Sequence, residues 1–393
     1  MDQQLPDFNN LKIAFESKSD KELNKAVWLF KMMNSPTLVK FGSKLGLWAV
    51  ENNIPFTKSI VENTIFEQFC GGTSFESSIN SINKLKKYNI KTVLDYGAEG
   101  KETEADWDKT KQEFLNAIDF SSNQSSVPLI SIKVTGLSRF ELLEKVSANR
   151  LLSEKETLEW QKVKSRVEAV CQKAYDKKLG VFIDAEETWI QDAIDHLVDE
   201  MMEKYNKERV TVFNTFQCYR KDRYDYLVAS HHLAKQKNYL LGAKLVRGAY
   251  MEKERERAAS LELPSPINED KAATDAMYNK CLKYCFDHLS DISVVNATHN
   301  ANSSMLLARW IVENNIAKDH PHTLFCQLYG MSDNLTFNLA KSGFNASKYL
   351  VYGSIKDVIP YLIRRAQENS AVSGDMSREY KMYVDALKER KQN

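Results

Sequence analysis

Two adjacent arginines near the C-terminus are the side chains that most clearly require an anionic partner. Arg364 and Arg365 follow a short apolar run that ends at Gly353, in a segment whose pattern predicts a helix. Arginine stays charged and presents a planar fork of donors that fits a carboxylate. Burying two guanidinium groups among aliphatic residues is costly unless an anion meets them. The alternative is a solvated surface ion pair, because Glu368 lies four residues after Arg364 on the same helix face.

Polar or ionisable residues also end nearly every other apolar run of the chain. If the carboxyl ends of these runs meet at one edge of a sheet or barrel, their side chains converge on one site. Buried lysine and arginine side chains would make that site electropositive, which suits an anionic substrate and a phosphate-bearing cofactor. Each residue also has a structural explanation, because chains commonly turn polar where they reach the surface. The residues are Lys133, Asp184, Gln217, Arg247, Tyr250, Thr298, His299, Asn300, Gln327 and Tyr349.

Metal-dependent and hydrolytic chemistry have less support in the sequence. His299 and Asn300 could ligate a metal, but no second histidine or cysteine has a supporting spacing, so we expect no metal site. The run Asp184-Ala185-Glu186-Glu187 could supply a carboxylate pair for acid–base chemistry. No activated serine or cysteine motif accompanies them, which argues against a hydrolase. The formal net charge of +1 gives no reason to expect a nucleic-acid partner.

Eight short apolar runs alternate with amphipathic helical patterns from about residue 74 onward. This alternation predicts parallel strand pairing in an α/β protein, and eight units predict a (β/α)8 barrel. A doubly wound sheet is the rival, and it is weakened because no Gly-x-Gly-x-x-Gly or Walker motif follows a strand. The apolar runs are residues 92–96, 129–134, 180–184, 210–217, 243–247, 292–298, 323–328 and 349–352.

Capping motifs predict where several helices begin. Ser19 and Glu22 form a capping box in the N-terminal part, and Ser35-Pro36 starts the next helix with proline at its first position. Ser153 and Glu156 form a second capping box that opens a long helix. Further helices are predicted over residues 188–205, 222–237, 268–289 and 302–314.

The composition and hydropathy of the 393-residue chain indicate where the protein is located. No apolar run approaches the roughly 20 residues that span a bilayer. The N-terminus resembles neither a signal peptide nor an Arg-rich transit peptide. We expect a cytoplasmic protein with peripheral contact at the inner face of the membrane; a eukaryotic source would place it in the mitochondrial matrix. The six cysteines lack zinc spacing, so reduced thiols are expected.

Four motifs together closely resemble the proline dehydrogenase (proline oxidase) family. The likeness runs from about residue 60 to the end of the chain, with the motifs in order along the predicted strands. The sequences of these motifs are more similar to those of the mitochondrial eukaryotic enzymes than to those of the corresponding domain of the bacterial bifunctional enzymes. The motifs are Asp184-Ala185-Glu186-Glu187, Lys244-Leu245-Val246-Arg247-Gly248-Ala249-Tyr250, Gln327-Leu328-Tyr329-Gly330-Met331 and Tyr361-Leu362-Ile363-Arg364-Arg365-Ala366-Gln367-Glu368-Asn369-Ser370.

The resemblance implies a distorted (β/α)8 barrel that binds FAD at its C-terminal mouth. It implies an N-terminal helical arm over residues 1–60, a catalytic domain over residues 61–393, and a C-terminal helix that covers the site. The implied reaction is oxidation of L-proline to Δ1-pyrroline-5-carboxylate by hydride transfer to flavin N5, the first step of proline catabolism. Electrons would then pass to a membrane quinone.

The resemblance also implies a role for each candidate residue. Arg364 and Arg365 would bind the proline carboxylate, while Lys133 and Asp184 would shape the electrostatics beneath the substrate ring. The walls of the substrate site would be Tyr250, Leu328, Tyr349 and Tyr361. The residues that hold FAD would be Gln217, Lys244, Val246, Arg247, Thr298, His299, Asn300, Gln327, Glu368 and Ser370.

The chain departs from the family pattern in three respects. The bacterial enzymes have arginine and then lysine where this chain has Lys244 and then Arg247, so both are candidates for the contact to flavin N5. Met251 replaces an aromatic residue of that pattern. A glutamate that pairs with an arginine in many relatives is replaced by glycine near residues 71–73, which leaves the gating partner unassigned.

Two other functions compete with proline oxidation. The first is a hydroxyproline dehydrogenase, and Tyr349 argues against it because hydroxyproline-oxidising relatives carry a small residue there. The second is a catalytically inactive barrel that acts as a binding protein. The retained Lys133, Asp184 and arginine pair argue against that alternative.

Overall fold

The computed structural model describes residues 5–52, 54–97, 101–371 and 375–392. Within these residues, strands β2 to β9 form a closed parallel barrel surrounded by helices, so the predicted (β/α)8 fold is confirmed. All eight predicted apolar runs are strands of this barrel. The strands are β1 Cys70–Gly72, β2 Lys91–Tyr96, β3 Leu129–Ile132, β4 Gly180–Ile183, β5 Val212–Gln217, β6 Leu241–Val246, β7 Ile292–Ala297, β8 Thr323–Leu328 and β9 Ala346–Tyr352.

The helices follow the predicted spans closely. They are α1 Leu11–Ala14, α2 Asp20–Met33, α3 Pro36–Glu51, α4 Thr57–Val61, α5 Glu67–Phe69, α6 Ile79–Lys86, α7 Glu104–Ser122, α8 Phe140–Ser147, α9 Glu154–Asp176, α10 Thr188–Tyr205, α11 Arg223–Gln236, α12 Met251–Ser260, α13 Lys271–Asp287, α14 Ala301–Glu313, α15 Asp333–Lys341, α16 Ile355–Ala371 and α17 Asp375–Gln392. Both predicted capping boxes form, one before α2 and one before α9. Within the described part of the chain, none of these helices is long and apolar enough to span a bilayer.

The chain forms two compact units, residues 1–5 with 100–326 and residues 6–99 with 327–393. In the first unit, strands β3 to β8 pair in sequence order and in parallel. Strands β3, β4 and β5 are buried along their whole length, as expected for strands covered on both faces. Ile132 pairs with Ile183 at the ends of β3 and β4, so the next residues of both strands emerge at the same edge.

In the second unit, β9 lies between β1 and β2, and Tyr349 of β9 pairs with Val93 of β2. The short strand β1 was not predicted. Its three residues, a cysteine and two glycines, carry no apolar pattern that would signal a strand. A Cβ atom at Gly71 would lie 2.7 Å from the Leu350 side chain, so only glycine allows this close approach of β1 to β9.

The first and last helices of the chain pack together in the second unit. The Tyr383 ring of α17 lies 4.7 Å from the ring of Phe15 and 5.4 Å from that of Phe30, measured between centroids. Arg390 of α17 donates to Asp20 at the start of α2 at a distance of 2.8 Å. These contacts fix the N-terminal helices within the unit. The division into an arm over residues 1–60 and a catalytic domain over residues 61–393 stays a prediction.

Candidate functional site

A carboxylate shared by two lysines lies at the carboxyl ends of the strands in the first unit. Lys133 follows β3, Asp184 follows β4, and Lys244 belongs to β6. The Nζ of Lys133 donates to Oδ2 of Asp184 at 3.0 Å, and the Nζ of Lys244 donates to Oδ1 at 2.5 Å. Ser131 of β3 adds a third donor, its hydroxyl lying 2.9 Å from Oδ1. The structure therefore joins three predicted site residues into one cluster.

Burial makes this cluster electrostatically strong. Its three ionisable side chains are at most 14% exposed. Burial alone would raise the pKa of Asp184, but the charges and hydrogen bonds of Lys244 and Lys133 outweigh it and hold the pKa well below its usual value. Asp184 is therefore ionised, and one carboxylate faces two ammonium groups. The excess positive charge favours an anionic or electron-rich group beside the cluster.

Arg247 is held rigidly just beyond β6. Its Nε donates to Asp275 at 2.6 Å, its Nη1 donates to the Thr298 hydroxyl at 2.6 Å, and its Nη2 donates to Ser303 at 3.1 Å. Its guanidinium carbon lies 4.3 Å from the centroid of the Tyr278 ring. These contacts place a fixed cation at the carboxyl ends of β6 and β7.

The turn after β7 organises the start of α14. The Thr298 hydroxyl accepts from the backbone nitrogen of Asn300 at 3.0 Å. The Asn300 side chain caps α14 by accepting from the backbone nitrogen of Ser303 at 3.1 Å. His299 lies half-buried between them. Arg247, Thr298 and Asn300 thus form one connected group.

Gln217 and Val246 occupy matching positions, because they are register partners at the ends of β5 and β6. The Gln217 side-chain nitrogen donates to the backbone oxygen of Glu186 at 2.7 Å. Tyr250 is buried at the start of α12, with the Lys253 ammonium 5.6 Å from its ring centroid. The predicted site residues of the first unit therefore lie in the carboxyl-terminal halves of strands β3 to β7 or in the loops that directly follow these strands.

Glu186 is a buried carboxyl whose environment the sequence did not predict. Its Oε1 accepts from the backbone nitrogen of Thr135 at 3.1 Å, and its Oε2 accepts from the Thr135 hydroxyl at 2.5 Å. Burial raises the pKa of Glu186 to about 7, against the lowering effect of these hydrogen bonds. Asp184 and Glu186 thus have pKa values shifted in opposite directions. Their neighbouring positions in the sequence gave no signal of this difference.

The raised pKa of Glu186 predicts a pH dependence of stability. The folded protein holds the Glu186 proton more tightly than the unfolded chain does. Protonation of Glu186 therefore adds its full stabilisation of the folded state below about pH 4.5, and this stabilisation is lost as the pH rises through about 7. Glu186→Gln should reduce the fall in unfolding free energy over this range by up to roughly 3 kcal/mol. Urea denaturation at several pH values measures the unfolding free energy of the wild type and the variant. Glu256→Gln, at an exposed glutamate, is the control. Parallel pH profiles for Glu186→Gln and the wild type would contradict the assignment.

The second unit holds the remaining candidates. Tyr349 is buried within β9, and its backbone oxygen accepts from the backbone nitrogen of Tyr329 at 2.9 Å. Gln327 of β8 is buried, and its side-chain oxygen accepts from the Thr336 hydroxyl at 2.8 Å. Leu328 is the half-buried last residue of β8. Each lies on a barrel strand, as predicted.

The arginine pair lies on α16, where its two members differ in burial. Arg365 is 8% exposed, and its guanidinium carbon lies 5.3 Å from the ring centroid of the buried Tyr361. Arg364 is half-buried. The side chains of Glu368 and Ser370 lie outside what the structure describes, so their predicted roles and the alternative Arg364–Glu368 ion pair stay untested.

Comparison with known proteins gives the family. The model of the proline dehydrogenase family matches residues 78–378. The mitochondrial proline dehydrogenase 2 of Arabidopsis thaliana is 31% identical over 396 residues, covering 88% of this chain and 83% of the plant protein. The mitochondrial proline dehydrogenase 1 of Drosophila melanogaster is 37% identical over 235 residues, covering 57% of this chain. That alignment spans 34% of the fly protein, about a third of its length.

A solved structure supports the fold. The crystal structure of proline utilization A (PutA) from Bdellovibrio bacteriovorus, inactivated by N-propargylglycine, aligns with a TM-score of 0.73. The alignment covers 95% of this chain and 40% of that chain, at 18% sequence identity. At this identity the likeness concerns the fold alone. The family match over residues 78–378, together with the relatives in sequence, shows that this chain belongs to the proline dehydrogenase family.

Proposed function

We propose that this protein oxidises L-proline to Δ1-pyrroline-5-carboxylate with FAD as its cofactor and a quinone as electron acceptor, the first step of proline catabolism. The observation that carries the proposal is the buried Lys133–Asp184–Lys244 cluster at the strand ends of a chain of this family. When bound, FAD would accept a hydride at its N5 atom. The protein's part is to bind and orient proline and to provide the surrounding charge.

The donors of the first unit fit FAD. Arg247 is a fixed cation between Asp275 and Thr298, and helix α14 begins immediately after Asn300. A guanidinium beside a helix N-terminus suits the phosphate groups of a dinucleotide. Lys244 is a further buried cation, and cations near a flavin favour its reduced, anionic form. We propose that these residues hold FAD together with Gln217, Val246, His299, Gln327, Glu368 and Ser370.

Proline would be bound through its carboxylate. We assign this role to Arg364 and Arg365, because Arg365 is a buried guanidinium on a helix with an apolar face. Lys133 and Asp184 would set the charge beneath the ring, and Tyr250, Leu328, Tyr349 and Tyr361 would form its walls. Fixing the carboxylate orients the ring, which removes much of the entropic cost of reaction.

The proposed step requires no strong general base. A hydride leaves the ring carbon next to nitrogen, a carbon–nitrogen double bond forms, and the proton on nitrogen passes to water. Asp184 stays ionised between two lysines, which makes it a poor proton acceptor. Its contribution is to hold both ammonium groups in place.

The choice of electron acceptor tests the proposed function. The chain contains no dinucleotide fingerprint, so NAD should be a poor acceptor. Pure protein should couple proline oxidation to reduction of a soluble quinone. Reduction of NAD at a rate matching the quinone would contradict the proposal, and failure to reduce either would favour an inactive binding protein.

Tyr349 should select proline over 4-hydroxyproline. Its buried side chain would fill the space that the substrate hydroxyl needs. Overpacking costs about 1–3 kcal/mol, so hydroxyproline should be disfavoured by roughly tenfold to a hundredfold. Tyr349→Ser should weaken proline binding and move the ratio of kcat/KM toward hydroxyproline. Tyr380→Ser on α17 is the control, and an unchanged ratio in Tyr349→Ser would show that this residue is not the selector.

A further inference from the structure

The exposed large apolar side chains of this protein are concentrated in one segment. Among the described residues, twelve such side chains are exposed, and eight of them lie between residues 28 and 60. Phe41 is 70% exposed and Phe56 is 82% exposed. Proteins rarely leave large apolar surface uncovered without a binding role for it. We call these eight residues the α2–α4 face: Trp28, Met32, Phe41, Leu45, Trp48, Ile54, Phe56 and Ile60.

Helix α3 is apolar on both its inner and its outer side. Phe41, Leu45 and Trp48 are spaced by four and three residues, so they form one exposed stripe along the helix. On the opposite side, Val39 and Val50 are buried. A helix with apolar side chains on two opposite sides is normally covered on both of them. The outer stripe therefore requires an occupant.

An apolar groove adjoins this helix. It has a volume of about 210 Å3 and lies among residues of α2, α3 and α16, with Met33, Leu47 and Leu362 in its walls. Gly42 and Gly46 also line it, and a Cβ atom at either position would meet nothing within 4 Å. The inner side of α3 is thus loosely filled. Flexible acyl chains suit such a groove better than a polar partner does.

The charge of the segment points to lipid as the occupant. Residues 28–60 contain four lysines and one glutamate, giving a net charge of 4 − 1 = +3 in a chain whose total is +1. Lys40 and Lys58 are exposed among the apolar side chains. Lysine is depleted in the cores of interfaces between proteins but favours the surface of anionic membranes. Exposed tryptophans at positions 28 and 48 likewise suit the boundary between lipid and water.

We infer that the α2–α4 face binds the surface of a lipid bilayer that contains anionic lipid. The helix α3 lies along the interface with Phe41, Leu45 and Trp48 in the acyl region, while the lysines contact headgroups. This inference rests on the proposed function, because an enzyme that reduces a membrane quinone must reach the bilayer. The inference adds which part of the chain contacts the bilayer, namely the α2–α4 face.

Vesicle binding by the FAD-loaded protein tests the inference. Wild-type protein should sediment with vesicles of phosphatidylcholine and phosphatidylglycerol, and its tryptophan emission should shift to the blue. Salt and pure phosphatidylcholine should both weaken binding. The double variant Phe41→Glu/Leu45→Glu should bind more weakly by about tenfold or more. It places two charges where the apolar side chains would contact the acyl chains. The control Leu151→Glu/Leu158→Glu alters two exposed leucines of the first unit and should bind as the wild type does.

Proline-dependent reduction of a soluble acceptor separates this inference from the proposed function, because neither double variant should alter its rate. Equal vesicle binding by the wild type and the Phe41→Glu/Leu45→Glu variant would overturn the inference. Absence of vesicle binding would also overturn it. Dimers that form without lipid and dissociate in that variant would instead identify the face as an interface between two copies of this chain.

Discussion

Replacing Arg365 or Arg364 by alanine is expected to raise the KM for proline by roughly thirtyfold to several thousandfold. This range follows from losing one partner of a desolvated charge pair at about 2–5 kcal/mol. Arg365 should give the larger effect, because it is the more deeply buried of the two. FAD should stay bound, since the proposed clamp contacts the substrate carboxylate. Steady-state kinetics with a soluble acceptor, combined with the flavin-to-protein ratio, measures both expectations.

Two further variants separate the clamp from a general effect of charge. Arg365→Lys keeps the positive charge but loses the planar fork, so its KM should lie between those of the wild type and Arg365→Ala. Arg150→Ala removes an exposed arginine and should leave the KM unchanged. If both Arg364→Ala and Arg365→Ala retain the wild-type KM, the carboxylate is bound elsewhere.

Asp184→Asn should destabilise the protein by about 3–5 kcal/mol, because it removes the carboxylate charge that two buried ammonium groups share. The substitution preserves shape, so the change isolates the charge. The Lys133 and Lys244 contacts that it weakens are 3.0 and 2.5 Å long in the wild type. Urea denaturation of the wild type and the variant gives the difference in unfolding free energy.

The control for this variant is a carboxylate with a similar partner but a different environment. Asp119 pairs with Lys173 at 2.5 Å and is 50% exposed, so Asp119→Asn should cost no more than about 1 kcal/mol. Adding Lys133→Met to Asp184→Asn should recover part of the lost stability, because one of the two buried ammonium charges is then removed as well. A loss below about 1 kcal/mol for Asp184→Asn would show that the cluster is not electrostatically coupled.

The strands and several helices could be predicted from the sequence because each has a strong local pattern. The run at residues 180–184 became β4, and the helix predicted over residues 188–205 matches α10. Buried parallel strands are continuously apolar, and the polar residue that ends each run marks its carboxyl end. The positions of Lys133 and Asp184 followed from that reasoning alone.

The partners of these residues could not be predicted, because they depend on strand register. Lys244 lies 60 residues from the carboxylate it shares with Lys133. A second buried cluster in the other unit was missed for the same reason. Lys348, 1% exposed in β9, lies 2.8 Å from Asp333, which also contacts Lys18 at 3.5 Å. A lysine immediately before the apolar run at residues 349–352 was the local signal of that cluster.

The sequence also did not predict which apolar side chains are exposed. The apolar spacing of α3 is compatible with a helix covered on two opposite sides, and the structure leaves one of these sides uncovered. Sequence patterns report which residues are apolar but not which faces find a partner in the fold.

The visible spectrum of the purified protein, recorded before and after anaerobic addition of L-proline, tests whether a flavin in this protein oxidises proline. We expect a yellow protein whose flavin absorbance is bleached by L-proline, with one Δ1-pyrroline-5-carboxylate formed for each flavin reduced. A protein that carries and takes up no flavin would contradict it. A bound flavin that L-proline leaves oxidised would contradict it equally.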